Sequence, residues 1–279
     1  MIKDEFEAYL SEIFESDYPV KQAMNYSLLA NSKRLRPLLL LSALKDIKGT
    51  YQEGFDCAAA IEMVHTYSLI HDDLPAFDDD DYRRGQLTCH KQFDEPTAIL
   101  AGDGLLTAAF GQISNSDSYN DNQKVKLISL LSEYAGQEGM VKGQCLDMLY
   151  ESKQVTIDQL EEMDGLKTGK LITLPLLAAS VISDREELNE QFKDIGKKLG
   201  LAFQIQDDLL DVLSNKQMTG KSNSDEANEK STYVSLLSVD IAKEKVDELF
   251  NDIYEKLDQM NIEFISLKEL IKNTEKRKW

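Results

Sequence analysis

Residues that turn a chain are scarce in this sequence. Only 14 glycines and 5 prolines stand among its 279 residues, well below the roughly 12% that these two types make up in an average domain. A fold of many short strands and tight hairpins is disfavoured, and long elements with few turns are expected. Cysteine is scarce too: Cys57, Cys89 and Cys145 stand apart with no CxxC spacing. That argues against a disulfide framework or a zinc site and points to a reducing cytoplasm. Long apolar runs are missing. The longest, Leu174 to Ile182, is half of what a membrane span needs, so no membrane span is expected. The start, Met1-Ile2-Lys3-Asp4-Glu5, has no apolar stretch of the secretory kind. Positive charge is in deficit, with 31 Lys and Arg against 50 Asp and Glu, a net charge of −19. Nucleic acid is therefore excluded as a partner, because a phosphate backbone needs a basic footprint.

What is present is hydrophobic content of 42%, enough for one sizeable core or at most two small ones. Apolar residues recur at three- and four-residue steps from Ala58 to His71, Ile99 to Ile113, Lys124 to Tyr150, Leu166 to Ile182, Glu187 to Leu213 and Val239 to Leu257. This is the period of amphipathic helices. Asn-Gly and Asp-Gly hairpin signals are absent except for Asp164-Gly165, which helical patterns flank. Loops are expected near Gly49-Thr50, Phe77 to Thr88, Ser114 to Gln123 and Ser214 to Lys230. The reading is a single all-α domain over residues 1–279 with ten or more helices.

Most of the carboxylates read as a solubilising surface. Two clusters beside apolar residues do not. The first is Asp72-Asp73-Leu74-Pro75-Ala76-Phe77-Asp78-Asp79-Asp80-Asp81, entered from a helix carrying Ile61, Val64, Leu69 and Ile70. Pro75 disfavours helical geometry at Leu74, which predicts a helix end near Asp73. There the macrodipole already disfavours anions. Such a cluster calls for a cation, and oxygen donors suit magnesium where phosphates are also held. The second cluster is Gln204-Ile205-Gln206-Asp207-Asp208-Leu209-Leu210-Asp211. Gln204, Asp207, Asp208 and Asp211 share one helical face. Cations lie close in sequence: Lys33, Arg34 and Arg36 near the start, Arg83-Arg84-Gly85 after the first cluster, Lys221 and Lys230 after the second. Any one of them alone reads as a surface ion pair. Gathered beside carboxylates in so acidic a chain, they point to metal plus polyphosphate, with diphosphate the economical ligand.

The run from His65 through Asp72-Asp73 and Asp78 to Arg83-Arg84-Gly85 and Thr88-Cys89-His90 closely resembles the first aspartate-rich motif of bacterial farnesyl diphosphate synthases. Ala101-Gly102-Asp103, Gly139 to Gln144, Lys167-Thr168-Gly169, the Gln204 to Asp211 run and Lys230-Ser231-Thr232-Tyr233 follow in the order of that family. The resemblance covers roughly residues 30 to 235. It implies an isoprenoid-synthase-type helical bundle around a central cavity and a cytoplasmic homodimer. The implied reaction is condensation of isopentenyl diphosphate with dimethylallyl or geranyl diphosphate to give farnesyl diphosphate.

The resemblance also implies roles. Asp72, Asp73 and Asp78, with Asp207 and Asp211, look like ligands to magnesium, three ions in the closed substrate complex. Arg83, Lys167, Lys221 and Lys230 match positions that hold the allylic diphosphate. Lys33, Arg36, His65 and Arg84 match the isopentenyl diphosphate pocket. Thr168 and Gln204 match positions near the carbocation, and Asp72, Asp78, Arg83, Lys167, Asp207 and Lys230 form the implied catalytic set. The family's usual base is the released diphosphate. Tyr67 and Ser68, five and four residues before Asp72, match the positions that set product length. A bulky Tyr67 and the Asp-Asp-x4-Asp spacing imply a fifteen-carbon product, with a geranylgeranyl diphosphate synthase as the alternative.

Some positions depart from the family pattern. Asn31-Ser32 and Lys142 stand where glycines are usual, and Ser222 to Asp225 lacks another. If Asn31 or Ser32 needs a positive φ, the backbone there is strained. A terpene cyclase or a non-catalytic synthase subunit would share the scaffold. Cyclases usually lack the complete second motif and the isopentenyl-binding cations, and such subunits typically lose one aspartate motif. Both motifs and those cations are present here.

Overall fold

A computed structural model describes residues 2–14, 18–151, 153–219 and 231–276. The chain divides into two compact units, residues 1–131 with 181–183, and residues 132–180 with 184–279.

The first unit contains α1 (Ile2–Ser11), α2 (Pro19–Leu28), α3 (Leu35–Lys48) and α4 (Phe55–Asp72). A short hairpin follows, β1 (Tyr82–Arg83) and β2 (Gln86–Leu87), and then α5 (Cys89–Gln92) and α6 (Glu95–Ser114). The core is α4 packed on α6. Ala58, Ala59 and Ala60 on α4 and Ala98, Ala101, Leu105 and Ala109 on α6 are fully buried. Small side chains let the two helices approach closely, and α4 is apolar nearly all round because it lies at the centre of the unit. Asp94 caps α6 by accepting from the Thr97 N–H at 2.7 Å.

Helix α7 (Asp121–Ala135) runs across the division of the chain. The second unit continues with α8 (Met140–Tyr150), α9 (Ile157–Asp164), a π-helical turn over Gly165–Gly169 and α10 (Lys170–Ile182). Then come α11 (Asn189–Thr219), α12 (Tyr233–Leu237), α13 (Val239–Gln259) and α14 (Ile265–Glu275). Its core is α11 against α13. Phe192, Ile195, Leu199, Ala202, Ile205 and Leu209 line one side, and Ala242, Val246, Phe250, Ile253 and Leu257 the other. These are three- and four-residue steps on both helices, the buried stripe of an amphipathic helix.

Three expectations are corrected. The stretch Phe77 to Thr88 is not all loop. Arg84 and Gly85 both take positive φ, 54° and 80°, as the two central residues of a type I′ hairpin turn must. Arginine in the first of those places hides the signal. Helix α11 continues to Thr219, past the expected loop start at Ser214. Finally, the run Ile157–Ile182 is one continuous helix of 26 residues, long and apolar enough by composition to cross a membrane. Reading Leu174 to Ile182 alone missed this, because the π turn carries the helix through two glycines. In its most apolar window 72% is buried inside the protein, as in a core helix.

Candidate active site

Helix α4 ends where Pro75 requires, with Asp72 as its last residue and Asp73 as its C-cap. The chain then folds back on itself. The Asp78 N–H donates to the Asp72 carbonyl at 2.9 Å, and the Phe77 N–H donates to the Leu74 carbonyl at 2.9 Å. The four residues between the aspartate pair and Asp78 thus form a closed turn that returns Asp78 to the helix end. Asp73 is buried, and its Oδ1 receives Arg83 Nε at 2.6 Å and Nη2 at 2.5 Å. Burial pushes the Asp73 carboxyl up, with Asp80 and Asp78 adding to it, and the Arg83 pair only partly offsets this. The hairpin carrying Arg83 and Arg84 is pinned by Tyr26, whose hydroxyl donates to the Leu87 carbonyl at 2.7 Å.

Beside it lies a cationic pocket. Arg36 Nη1 stands 3.2 Å from His65 Nε2, and Arg84 Nη2 stands 3.5 Å from the same atom. Guanidinium groups only donate, so Nε2 accepts from both and the ring proton sits on Nδ1. Burial, then Arg36 and Arg84, hold the His65 pKa well below its usual value. His65 is therefore a neutral acceptor that orients two arginines. The third cation of the Lys33-Arg34-Arg36 run points elsewhere. Arg34 is buried, pairs with the equally buried Glu62 at 2.7 Å and donates to the Ala30 carbonyl at 3.2 Å. It also carries the left-handed backbone, φ 52°. The strain expected at Asn31 or Ser32 is thus found at Arg34, and neither of those residues has positive φ. Lys33 is exposed.

Tyr67 is buried, 8% exposed. One turn on, its ring meets His71 edge to face at 5.8 Å between centroids. The Ser68 hydroxyl donates to the His65 carbonyl at 2.9 Å.

In the second unit Lys167 and Thr168 lie on the π turn, a geometry that recurs at functional sites. The turn is held on both sides by close backbone approach. A Cβ at Gly143 of α8 would lie 2.1 Å from the Lys167 nitrogen, and one at Gly200 of α11 would lie 2.7 Å from Gly169 Cα. Lys167 Nζ is 2.6 Å from Asp147 Oδ2. Gln204 Nε2 donates to Asp164 Oδ1 at 3.4 Å. Asp164 is buried, and its pKa is pushed up to about 7 by burial and then by Asp208. Asp208 accepts from the Tyr233 N–H at 2.7 Å, fixing the start of α12. Asp207 is half-buried and Asp211 exposed on the same helix.

Asp147, Asp164 and Asp208 escaped the sequence reading as structural partners of named site residues. Asp147 lies three residues beyond a motif that stopped at Gln144, and only the Asp164-Gly165 turn signal marked Asp164. Lys221 and Lys230 lie outside the described residues.

Among the described residues, no three His, Cys, Asp or Glu side chains form a closed metal cage. The carboxylates present are hard oxygen donors, and the returning turn sets Asp78 beside the helix end. Magnesium commonly takes one or two such carboxylates and fills its shell with water and phosphate oxygens. The donor set fits an ion that arrives with its substrate.

The polyprenyl synthetase family model matches residues 18–271. A farnesyl diphosphate synthase of Micrococcus luteus is 46% identical over 267 residues, 95% of this chain and 91% of that protein. One of Bacillus subtilis is 44% identical over 250 residues, 88% and 84% respectively. A crystal structure of a geranyltransferase from Helicobacter pylori, complexed with magnesium and isoprenyl diphosphate, is similar at a TM-score of 0.83. It is 35% identical and covers 97% of this chain and 93% of that one.

Proposed function

The chain belongs to the polyprenyl synthetase family and is a prenyltransferase, and on that premise we propose that it makes farnesyl diphosphate from isopentenyl diphosphate and dimethylallyl or geranyl diphosphate. The observation that carries the reading is the convergence of Arg36 and Arg84 on one neutral histidine nitrogen. Two guanidiniums aimed at one spot form a cradle for a diphosphate. Lys33, Arg36, His65 and Arg84 take the isopentenyl diphosphate group. Arg83 and Lys167, with Lys221 and Lys230, take the allylic diphosphate. The carboxylates assigned to magnesium are Asp72, Asp73 and Asp78 in the first unit and Asp207 and Asp211 in the second, for three ions in the loaded enzyme. Bound there, magnesium supplies Lewis-acid pull on the leaving diphosphate.

The chain's own residues do the rest. Arg83 and Lys167 release Asp73 and Asp147 and turn to the charge developing on the leaving group. Thr168 and Gln204 face the allylic cation. His65 is no base, since its Nε2 is already engaged by two donors, so the released diphosphate takes the proton. Buried Tyr67, with the smaller Ser68 beside it, closes the tunnel for the growing chain and favours fifteen carbons over the twenty of a geranylgeranyl synthase. One family domain over the whole chain is our reading, since a single family match runs through both units. A cytoplasmic homodimer completes it, and three free thiols fit a reducing compartment.

The test is incubation of the protein with isopentenyl diphosphate and each allylic diphosphate, with and without magnesium, followed by product sizing. A fifteen-carbon product that requires magnesium is expected. Diphosphate release without chain elongation would overturn the reading in favour of a cyclase.

A further inference from the structure

One sequence motif has no part in the chemistry above: Ala101-Gly102-Asp103 on α6. Gly102 is buried and faces α4. A Cβ built on it would lie 2.1 Å from His71 Nε2 and 2.5 Å from His71 Cδ2. The imidazole therefore occupies the place where any other residue's side chain would begin. The same Nε2 lies 3.2 Å from the Ile99 carbonyl oxygen. A carbonyl only accepts, so this nitrogen carries the proton. His71 is thus fixed against the main chain of α6 by a hydrogen bond and by a glycine that makes room for it.

The other neighbour of this imidazole is Tyr67. The two residues are one turn apart on α4, and their rings meet edge to face, 5.8 Å between centroids at 78°. A ring at the end of a tunnel is a stop only if it cannot rotate away from a growing chain. Side chains in close-packed interiors keep their rotamers because no space adjoins them. Here His71 lies against Tyr67, and His71, though part-exposed, is itself held on one side by the main chain of α6 at Gly102 and Ile99.

We propose that His71, seated over Gly102, is a positioning residue for product length, bracing Tyr67 so that the tunnel ends at fifteen carbons. This rests on the reading of Tyr67 as the tunnel floor. Removing the imidazole would leave a cavity into which the tyrosine can turn. Adding a methyl at position 102 would drive the imidazole out of its seat.

The test is product length for Tyr67→Ala, His71→Ala, His71→Gln and Gly102→Ala. Each is supplied with isopentenyl and geranyl diphosphates and magnesium, and the products are dephosphorylated and separated by chromatography. Thermal unfolding is followed in parallel. The readout is the ratio of twenty- to fifteen-carbon product, which does not depend on how much enzyme is active. Tyr67→Ala is expected to raise the ratio at least tenfold, and His71→Ala and Gly102→Ala about fivefold. His71→Gln should restore most of the original ratio, because its amide N–H can reach the Ile99 carbonyl. Should Gly102→Ala fail to fold, the two His71 variants still decide the matter. A lengthened Tyr67→Ala product beside unchanged His71→Ala products, even with lowered stability, would overturn the brace alone. An unchanged Tyr67→Ala product would overturn the tunnel floor and the brace together.

Discussion

The two units carry the same kinds of charged group on different kinds of support. In the first, the side chains proposed for the site sit at ends: Asp72 and Asp73 where α4 stops, Arg83 and Arg84 on a two-residue hairpin, Lys33 and Arg36 where α3 begins. In the second they sit in the middle of helices, Lys167 and Thr168 on the π turn and Asp207 and Asp211 along α11. Ends can adjust. Arg83 closes on Asp73, an ion pair that would have to open for the proposed cation and diphosphate to bind there. Helix middles hold their spacing, and here the glycine contacts at Gly143 and Gly200 hold the backbone too. In both units adjacent like residues divide the work. Arg34 is buried with Glu62 while Arg36 faces His65, and Asp208 anchors the start of α12 while Asp207 is the neighbour assigned to the proposed site.

The largest effect is expected from breaking that division in the first unit. Arg34→Met takes from buried Glu62 its ion-pair partner and leaves it the Ser32 hydroxyl at 3.3 Å, a loss of about 3–5 kcal/mol in denaturant unfolding. Arg36→Met should cost under about 1 kcal/mol. It should instead raise KM for isopentenyl diphosphate by about 10- to 100-fold, the scale of losing one charge-assisted contact. If Arg36→Met unfolds the protein and Arg34→Met only weakens substrate binding, the assignment of the two residues is reversed.

A somewhat smaller effect is expected at Asp164 in the second unit. Its folded pKa is about 7, against about 3.9 for an unfolded aspartate. Between those values the folded state binds the proton more tightly, so stability falls as pH rises from about 4 to about 7 and levels off above. The groups facing it are Asp208, Asp147, Gln204 and Tyr233; the two carboxylates raise its pKa, and the two hydrogen-bonding groups lower it. Asp164→Asn removes the titrating charge, flattens that slope and should stabilise the protein by roughly 2–4 kcal/mol at pH 8. Parallel pH profiles of unfolding for the two proteins would mean that Asp164 titrates alike in the folded and unfolded states, and the raised pKa would be refuted.

How far the sequence could be read follows the same contrast. Helix-borne features were legible, because a three- and four-residue period and Pro75 state their geometry locally. The end of α4 came through, as did the single helix, α11, that carries Gln204, Asp207, Asp208 and Asp211. Features made by two distant segments were not. Nothing near Arg34 announces that Glu62 will bury it, and nothing near Lys167 announces that Gly143 will press on its backbone. The hairpin was hidden because Arg84 takes a left-handed conformation usually left to asparagine or glycine. The π turn was hidden because one extra residue in a helix leaves the apolar period on each side intact.

The smallest effect separates two explanations of the second unit's stiffness. If the π turn exists because glycine is pliant, every glycine in it matters. If it exists because α8 and α11 clamp it, only the glycines at the contacts matter. Gly165 opens the turn with φ −59° and ψ −35°, ordinary helical values, and a Cβ there would meet nothing within 4 Å. Alanine at that position restricts the unfolded chain without disturbing the folded one. Gly165→Ala should therefore raise stability by about 0.4–1 kcal/mol in urea unfolding, with kcat within about twofold of the parent. A loss of stability would mean that the turn depends on backbone freedom at its first residue, and the clamp by Gly143 and Gly200 would no longer account for its shape.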